Sequence, residues 1–209
     1  MVGFSFSTWQ PNTHQGIYEY DIMASEAEIG ELLVGAYHRI ITDCEIVSYS
    51  QRSKEQGTQN EIDVVGIQSE NGRQTVYGCE VLTHLHGTPY TGTPSTDRWD
   101  SFGGEKYQYT LERFWDKFIF ADSYVSRVFD DADEYAFQLW APVVPEGYLT
   151  EGLSQLSNEF EEETGNELEI LVNSDYTERI KTLQERASED KKDYGETAFR
   201  LLQILGHMR

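Results

Sequence analysis

Two alternating runs each carry an acid inside an apolar pattern. They are Asn60-Glu61-Ile62-Asp63-Val64-Val65-Gly66-Ile67 and Thr75-Val76-Tyr77-Gly78-Cys79-Glu80-Val81-Leu82-Thr83-His84-Leu85. Asn71-Gly72 lies between them, a strong hairpin signal because a type I′ turn needs positive φ at both central residues. With that pair as the loop, Asp63 falls directly opposite Glu80. Opposed strand residues share a face and sit roughly 5 Å apart at Cβ. Two acids so placed repel each other and raise each other's pKa. A divalent cation between them removes that penalty, and Mg²⁺ typically takes one or two protein carboxylates with waters and substrate phosphate. The alternative is a solvated sheet face, or acids paired with Arg or Lys. The neighbours Ile62, Val64, Val65, Cys79, Val81 and Leu82 read as buried strand residues and favour the metal site.

The rest of the chain supplies elements to hold this hairpin. Residues 1–24 are aromatic and irregular and read as an N-terminal arm. Ser25-Glu26-Ala27-Glu28 has the spacing of a capping box and opens a predicted helix to about Thr42, with Leu32, Leu33, Ala36, Tyr37, Ile40 and Ile41 as its apolar stripe. Cys44–Ser50 alternates as a first strand, and the hairpin gives strands two and three. Residues 86–109 are rich in Gly, Pro, Thr and Ser, a long loop of the kind that usually carries function. Thr110 opens a long helix to Phe129. Tyr135–Ala141 is a fourth strand, Leu149–Glu163 a helix ended by Gly165, and Leu168–Val172 a fifth strand. A charged helix runs from Asp175 or Thr177 to about His207, with a break near Gly195. Hairpin strands followed by helix-linked strands predict an α/β fold with a mixed central β-sheet flanked by helices.

The 209 residues are 38% hydrophobic and 13% aromatic, which suits one folded domain with a real core. No apolar run is long enough for a membrane helix. The start lacks the charged and apolar regions of a signal peptide, so a cytoplasmic location is expected. Asp and Glu number 37 against 16 Lys and Arg, for a net charge of −21. The acids are spread along the chain, a pattern of halophilic proteins, whose charged surfaces keep them soluble in a high-salt cytoplasm. Near 1 M salt the Debye length is about 3 Å, so such a surface repels DNA only weakly. A mimic of nucleic acid is the rival at ordinary salt. Cys44 and Cys79 fall in predicted strands without CxxC spacing and read as buried thiols.

The element order, with Glu31, Asp63 and Glu80, resembles the PD-(D/E)XK nuclease superfamily, the restriction-endonuclease-like fold. Gly30-Glu31-Leu32-Leu33-Val34 is similar to the Glu-bearing first helix of many members. Glu61-Ile62-Asp63-Val64-Val65 matches the strand of the metal-binding Asp, and Cys79-Glu80-Val81-Leu82-Thr83-His84 matches the strand that normally reads E-V-K-T. The resemblance implies an αβββαβ core over residues 25–141; the elements over 142–209 read as an αβα extension packed on the same domain. It implies Mg²⁺ or Mn²⁺ held by Asp63, Glu80 and the Val81 carbonyl, with Glu31 contacting the metal through water. It also implies hydrolysis of phosphodiester bonds, most simply in DNA.

One position departs from the pattern. Leu82 stands where the family has its lysine, and leucine can neither orient a water nor stabilise phosphorane charge. Three residues could stand in. Lys117 lies on the helix after strand three, and its ordinary role would be a snorkelling surface lysine. His84 lies roughly 13 Å along the strand from Glu80, and Thr83 points to the other face unless a bulge re-aims it. With no replacement, the chain would be an inactive nuclease-fold protein serving as a subunit or interaction module of a nucleic-acid-processing assembly. Arg52, Lys54 and Arg73 flank the hairpin, and Arg98 and Lys106 lie in the long loop; these are the candidate phosphate contacts. Other expected partners are a second copy or another protein, and no membrane.

Overall fold

The computed structural model describes residues 27–53, 60–85, 89–100 and 104–208. Along the chain come α1 (Ile29–Ile40), β1 (Ile46–Arg52), β2 (Glu61–Glu70), β3 (Arg73–Val81), α2 (Gly104–Val128), β4 (Glu134–Ala141), α3 (Tyr148–Thr164), β5 (Glu167–Val172), α4 (Ser174–Glu189) and α5 (Thr197–His207). The N-terminal arm, Ser25, Lys54 and His86 lie outside the described residues.

The five strands form one mixed sheet in sequence order, with β1, β2 and β3 antiparallel and β4 and β5 added in parallel. Asn71 and Gly72 have φ of 53° and 79°. Both values belong to the left-handed region that a two-residue hairpin turn requires. The ladder from this turn runs from Glu70↔Arg73 to Val64↔Cys79. Continued by one pair, that register would set Asp63 opposite Glu80, but the ladder ends before them, at Val64↔Cys79.

Helices cover both faces of the sheet. Val65, Val76, Phe137, Leu139 and Leu168 form one core with Leu111, Phe114 and Phe118 of α2 and Leu153, Leu156 and Phe160 of α3. Val64, Cys79, Trp140 and Leu171 form the other, beneath Val34 and Tyr37 of α1, Leu183 and Ala187 of α4, and Ala198 and Phe199 of α5. Near-continuous apolar runs in β4 and β5 follow from burial on both faces.

Several predicted boundaries move. Helix α1 begins after an N-cap at Glu28, which makes no side-chain capping bond, so the Ser25 box does not mark its start. The first strand begins at Ile46, beyond Cys44. Cys44 is buried off the strand, its N–H bonded to the His38 carbonyl 2.9 Å away. Strand β3 ends at Val81, so His84 leaves the strand altogether. Helix α2 begins before Thr110, which is fully buried and donates its hydroxyl to the Tyr90 carbonyl at 2.9 Å. The final charged helix is two, α4 and α5, separated around Gly195, whose φ is 79°.

Candidate functional site

Regular sheet geometry fails at Asp63. Ile62 packs in the core under α2 and α3, whereas Val64, two residues on, packs in the core under α1. Strict alternation would put both on one face. Ser50, in β1 beside this point, has φ of 51°, an uncommon value for a residue with a side chain. The Val81 N–H donates to Asp63 Oδ2 at 2.7 Å. A side chain thus takes up a backbone donor of β3 as strands two and three part, and the acids face the resulting gap.

Glu80 projects into the same gap, with 4% of its surface exposed; Asp63 is 9% exposed and Glu31 8%. Glu31 comes from α1 and accepts a hydrogen bond from the Ser50 hydroxyl at 3.4 Å. Lys117 comes from α2 on the other side of the sheet, and its ammonium forms an ion pair with Glu80 Oε1. Tyr90 donates its hydroxyl to the same oxygen at 3.3 Å. Its ring stacks edge-on with Phe114 at 5.5 Å between centroids. These side chains line an open cleft of about 430 Å³ with Glu28, Asn60, Glu61, Val81, Thr83, His84 and Arg113. The pairing of acids with a cation therefore holds for Glu80, and the solvated-face alternative fails for both strand acids.

The electrostatics are those of crowded negative charge. Burial and the nearby Asp63 carboxylate push Glu80 up to about 8, against the lowering effect of Lys117. Burial, with Asp63, pushes Glu31 up to about 7. Asp63 is raised by burial, opposed by Lys117 and by the Val81 N–H bond. The acids in turn raise Lys117 despite its burial, which keeps the ammonium charged. Lys117 thus offsets charge on Asp63 and Glu80, and the three carboxylates still leave an excess that a proton or a second cation can neutralise.

The other predicted phosphate contacts do not meet here. Arg52 pairs with Glu61 at 2.5 Å. Arg73 is exposed at the hairpin turn. Arg98 stacks over the Trp115 ring at 3.7 Å and pairs with Glu159 at 2.7 Å, which with the buried Trp99 pins the loop to the body. Lys106 is exposed, near the ring of Tyr107. Leu82 lies in the core under α2 and α3. Arg113 is the basic residue of the cleft that sequence reasoning missed. Its signal is its place one helical turn before Lys117, since residues four apart share a helix face.

Among the described residues, no group of three or more His, Cys, Asp or Glu side chains is gathered closely enough to hold a metal ion. Among those residues a closed zinc-type site is therefore not formed. The pair Asp63 and Glu80 still has the hard oxygen donors that Mg²⁺ or Mn²⁺ accepts, and such ions need only one or two protein carboxylates. Comparison with protein-family models, curated proteins and solved structures finds no match. No helix among the described residues is long and apolar enough to cross a membrane.

Proposed function

We propose that the chain is a metal-dependent nuclease of PD-(D/E)XK type that hydrolyses phosphodiester bonds, with DNA as its substrate. The observation that carries this reading is Lys117. It reaches from α2 to Glu80, beside Asp63, although Leu82 occupies the usual lysine position. The same contact weighs against the inactive-scaffold alternative, because a charged donor stands at the acids after all.

Asp63 and Glu80 would hold the metal, with the Val81 carbonyl beside them. The bound ion would lower the pKa of a coordinated water and neutralise charge on the phosphate. Lys117 remains an ammonium, so it acts as a hydrogen-bond donor and electrostatic stabiliser, not as a base. Glu31, with its proton affinity raised to about 7, suits the proton lost by the attacking water. Attack forms one P–O bond and breaks another, and the leaving alkoxide takes a proton from solvent. Tyr90 positions Glu80 through its hydroxyl, and the Lys117 ammonium lies 6.0 Å from the centre of its ring.

The test is calorimetric titration of Mn²⁺ and Mg²⁺ into wild-type, Asp63→Ala and Glu80→Ala proteins in high KCl, with plasmid nicking assayed in the same buffer. Binding and nicking by the wild type, both lost in the variants, is the expected result. Binding without nicking would return the inactive scaffold to first place. No binding would remove the metal assignment.

A further inference from the structure

We propose that Arg113 is a second phosphate-binding residue, gripping the phosphodiester next to the one cut; this rests on the nuclease reading above. Arg113 and Lys117 are one helical turn apart on α2 and both line the cleft. At that spacing their Cβ atoms lie about 5–6 Å apart on one helix face. Their commitments differ. Lys117 is bound to Glu80 and held over the acids. Arg113 is about one-third exposed, and its ion pair is a loose one, 3.7 Å to Asp116 on its own helix. No acid of the cleft is paired with it in the described structure.

A guanidinium with so weak a local partner, at the rim of a cleft otherwise lined with carboxylates, has one ligand chemistry that fits. It is an oxyanion that accepts parallel N–H bonds, and phosphate matches that fork. The acids repel a polyanion, so the approach needs a fixed cation on the wall opposite Glu31. Lys117 meets the reacting phosphate and Arg113, a turn away, meets its neighbour. The preferred substrate then carries at least two successive phosphodiesters.

The experiment measures binding of a short fluorescein-labelled DNA duplex and its single strand by anisotropy. Ca²⁺ replaces Mg²⁺ to prevent cleavage, and KCl is varied. Wild type, Arg113→Ala, Arg113→Lys and Arg73→Ala are compared, with Mn²⁺ affinity and thermal denaturation as checks on the site and the fold. The expected result is about a tenfold loss of affinity in Arg113→Ala, with the salt slope reduced by about one. Partial recovery is expected in Arg113→Lys, which restores charge without the fork, and near-wild-type binding in Arg73→Ala. In Mg²⁺, Arg113→Ala should raise KM more than it lowers kcat. Wild-type binding that Arg113→Ala leaves unchanged would overturn the Arg113 assignment and leave the nuclease reading standing. Failure of the wild type to bind either probe or any metal would overturn both.

Discussion

Glu80 holds together the competing demands of the site. It is almost fully buried, faces Asp63, and bonds both Lys117 and Tyr90. Removing the cation leaves three crowded acids, and breaking a buried pair from one side costs about 3–5 kcal/mol. Because Lys117 keeps 20% of its side chain in solvent, Lys117→Met should cost somewhat less, about 2–3 kcal/mol at pH 8. The cost should shrink toward pH 5 as the acids protonate, which thermal denaturation at the two pH values will measure. Nicking by this variant should fall about 10²–10³-fold, the loss expected when a fixed electrostatic donor is removed. The raised acids also set a pH dependence. Glu80 and Glu31 fold with values near 8 and 7, against the 4.5 of an unperturbed glutamate. The folded protein therefore binds more protons than the unfolded chain between about 4.5 and 8, and stability falls as pH rises through that window. In chelator the melting temperature should climb as pH drops from about 8 to 5. Saturating Mn²⁺ should flatten that slope, because the cation then does what the protons did.

At the scale of elements, the site depends on how closely α1 lies on the sheet. A Cβ added at Gly35 would lie 2.5 Å from Tyr49 Cζ, inside van der Waals contact. Tyr49 is itself held, donating its hydroxyl to Glu196 at 2.8 Å. Gly35→Ala should push α1 outward, cost about 1–3 kcal/mol as overpacking does, and carry Glu31, one turn earlier, away from Asp63. Denaturant melts will read the first effect and nicking rates the second. The hairpin was legible in the sequence because turn chemistry is local. Asn71-Gly72 admits one kind of turn, and the turn fixes the register. The start of α1 was not legible, since the Ser25 spacing looks like a cap while the helix starts where packing begins, after Glu28. Thr110 misled in the same way, because it is a loop anchor inside α2 instead of its cap. Lys117 could be proposed from its place on the helix after strand three. Its contact with Glu80 could not, because that depends on how α2 crosses the sheet. Arg113 was not legible from charge in the loops, because its signal is the helix face it shares with Lys117.

The whole molecule carries a net charge of −21, and this bears on stability and on binding in opposite directions. Repulsion among spread acids opposes the compact state and is screened by salt. Between about 0.1 M and 1 M the Debye length falls from about 10 Å to 3 Å. The melting temperature should therefore rise with KCl over that range, and by more than an equal osmolality of sucrose would raise it, since sucrose screens nothing. Phosphate contacts weaken over the same range, each contributing to a loss of affinity that is linear in the logarithm of salt. Among the described residues, Arg113 and Lys117 are the Arg and Lys side chains that line the cleft. With these two as its cations the slope should be shallow, so any DNA affinity should fall little as salt rises. Nicking measured against KCl should then fall far less steeply than for a nuclease that covers DNA with lysines, and should track the stability curve at the low-salt end. A steep decline beginning at the lowest salt would mean that DNA is held by cations outside this cleft.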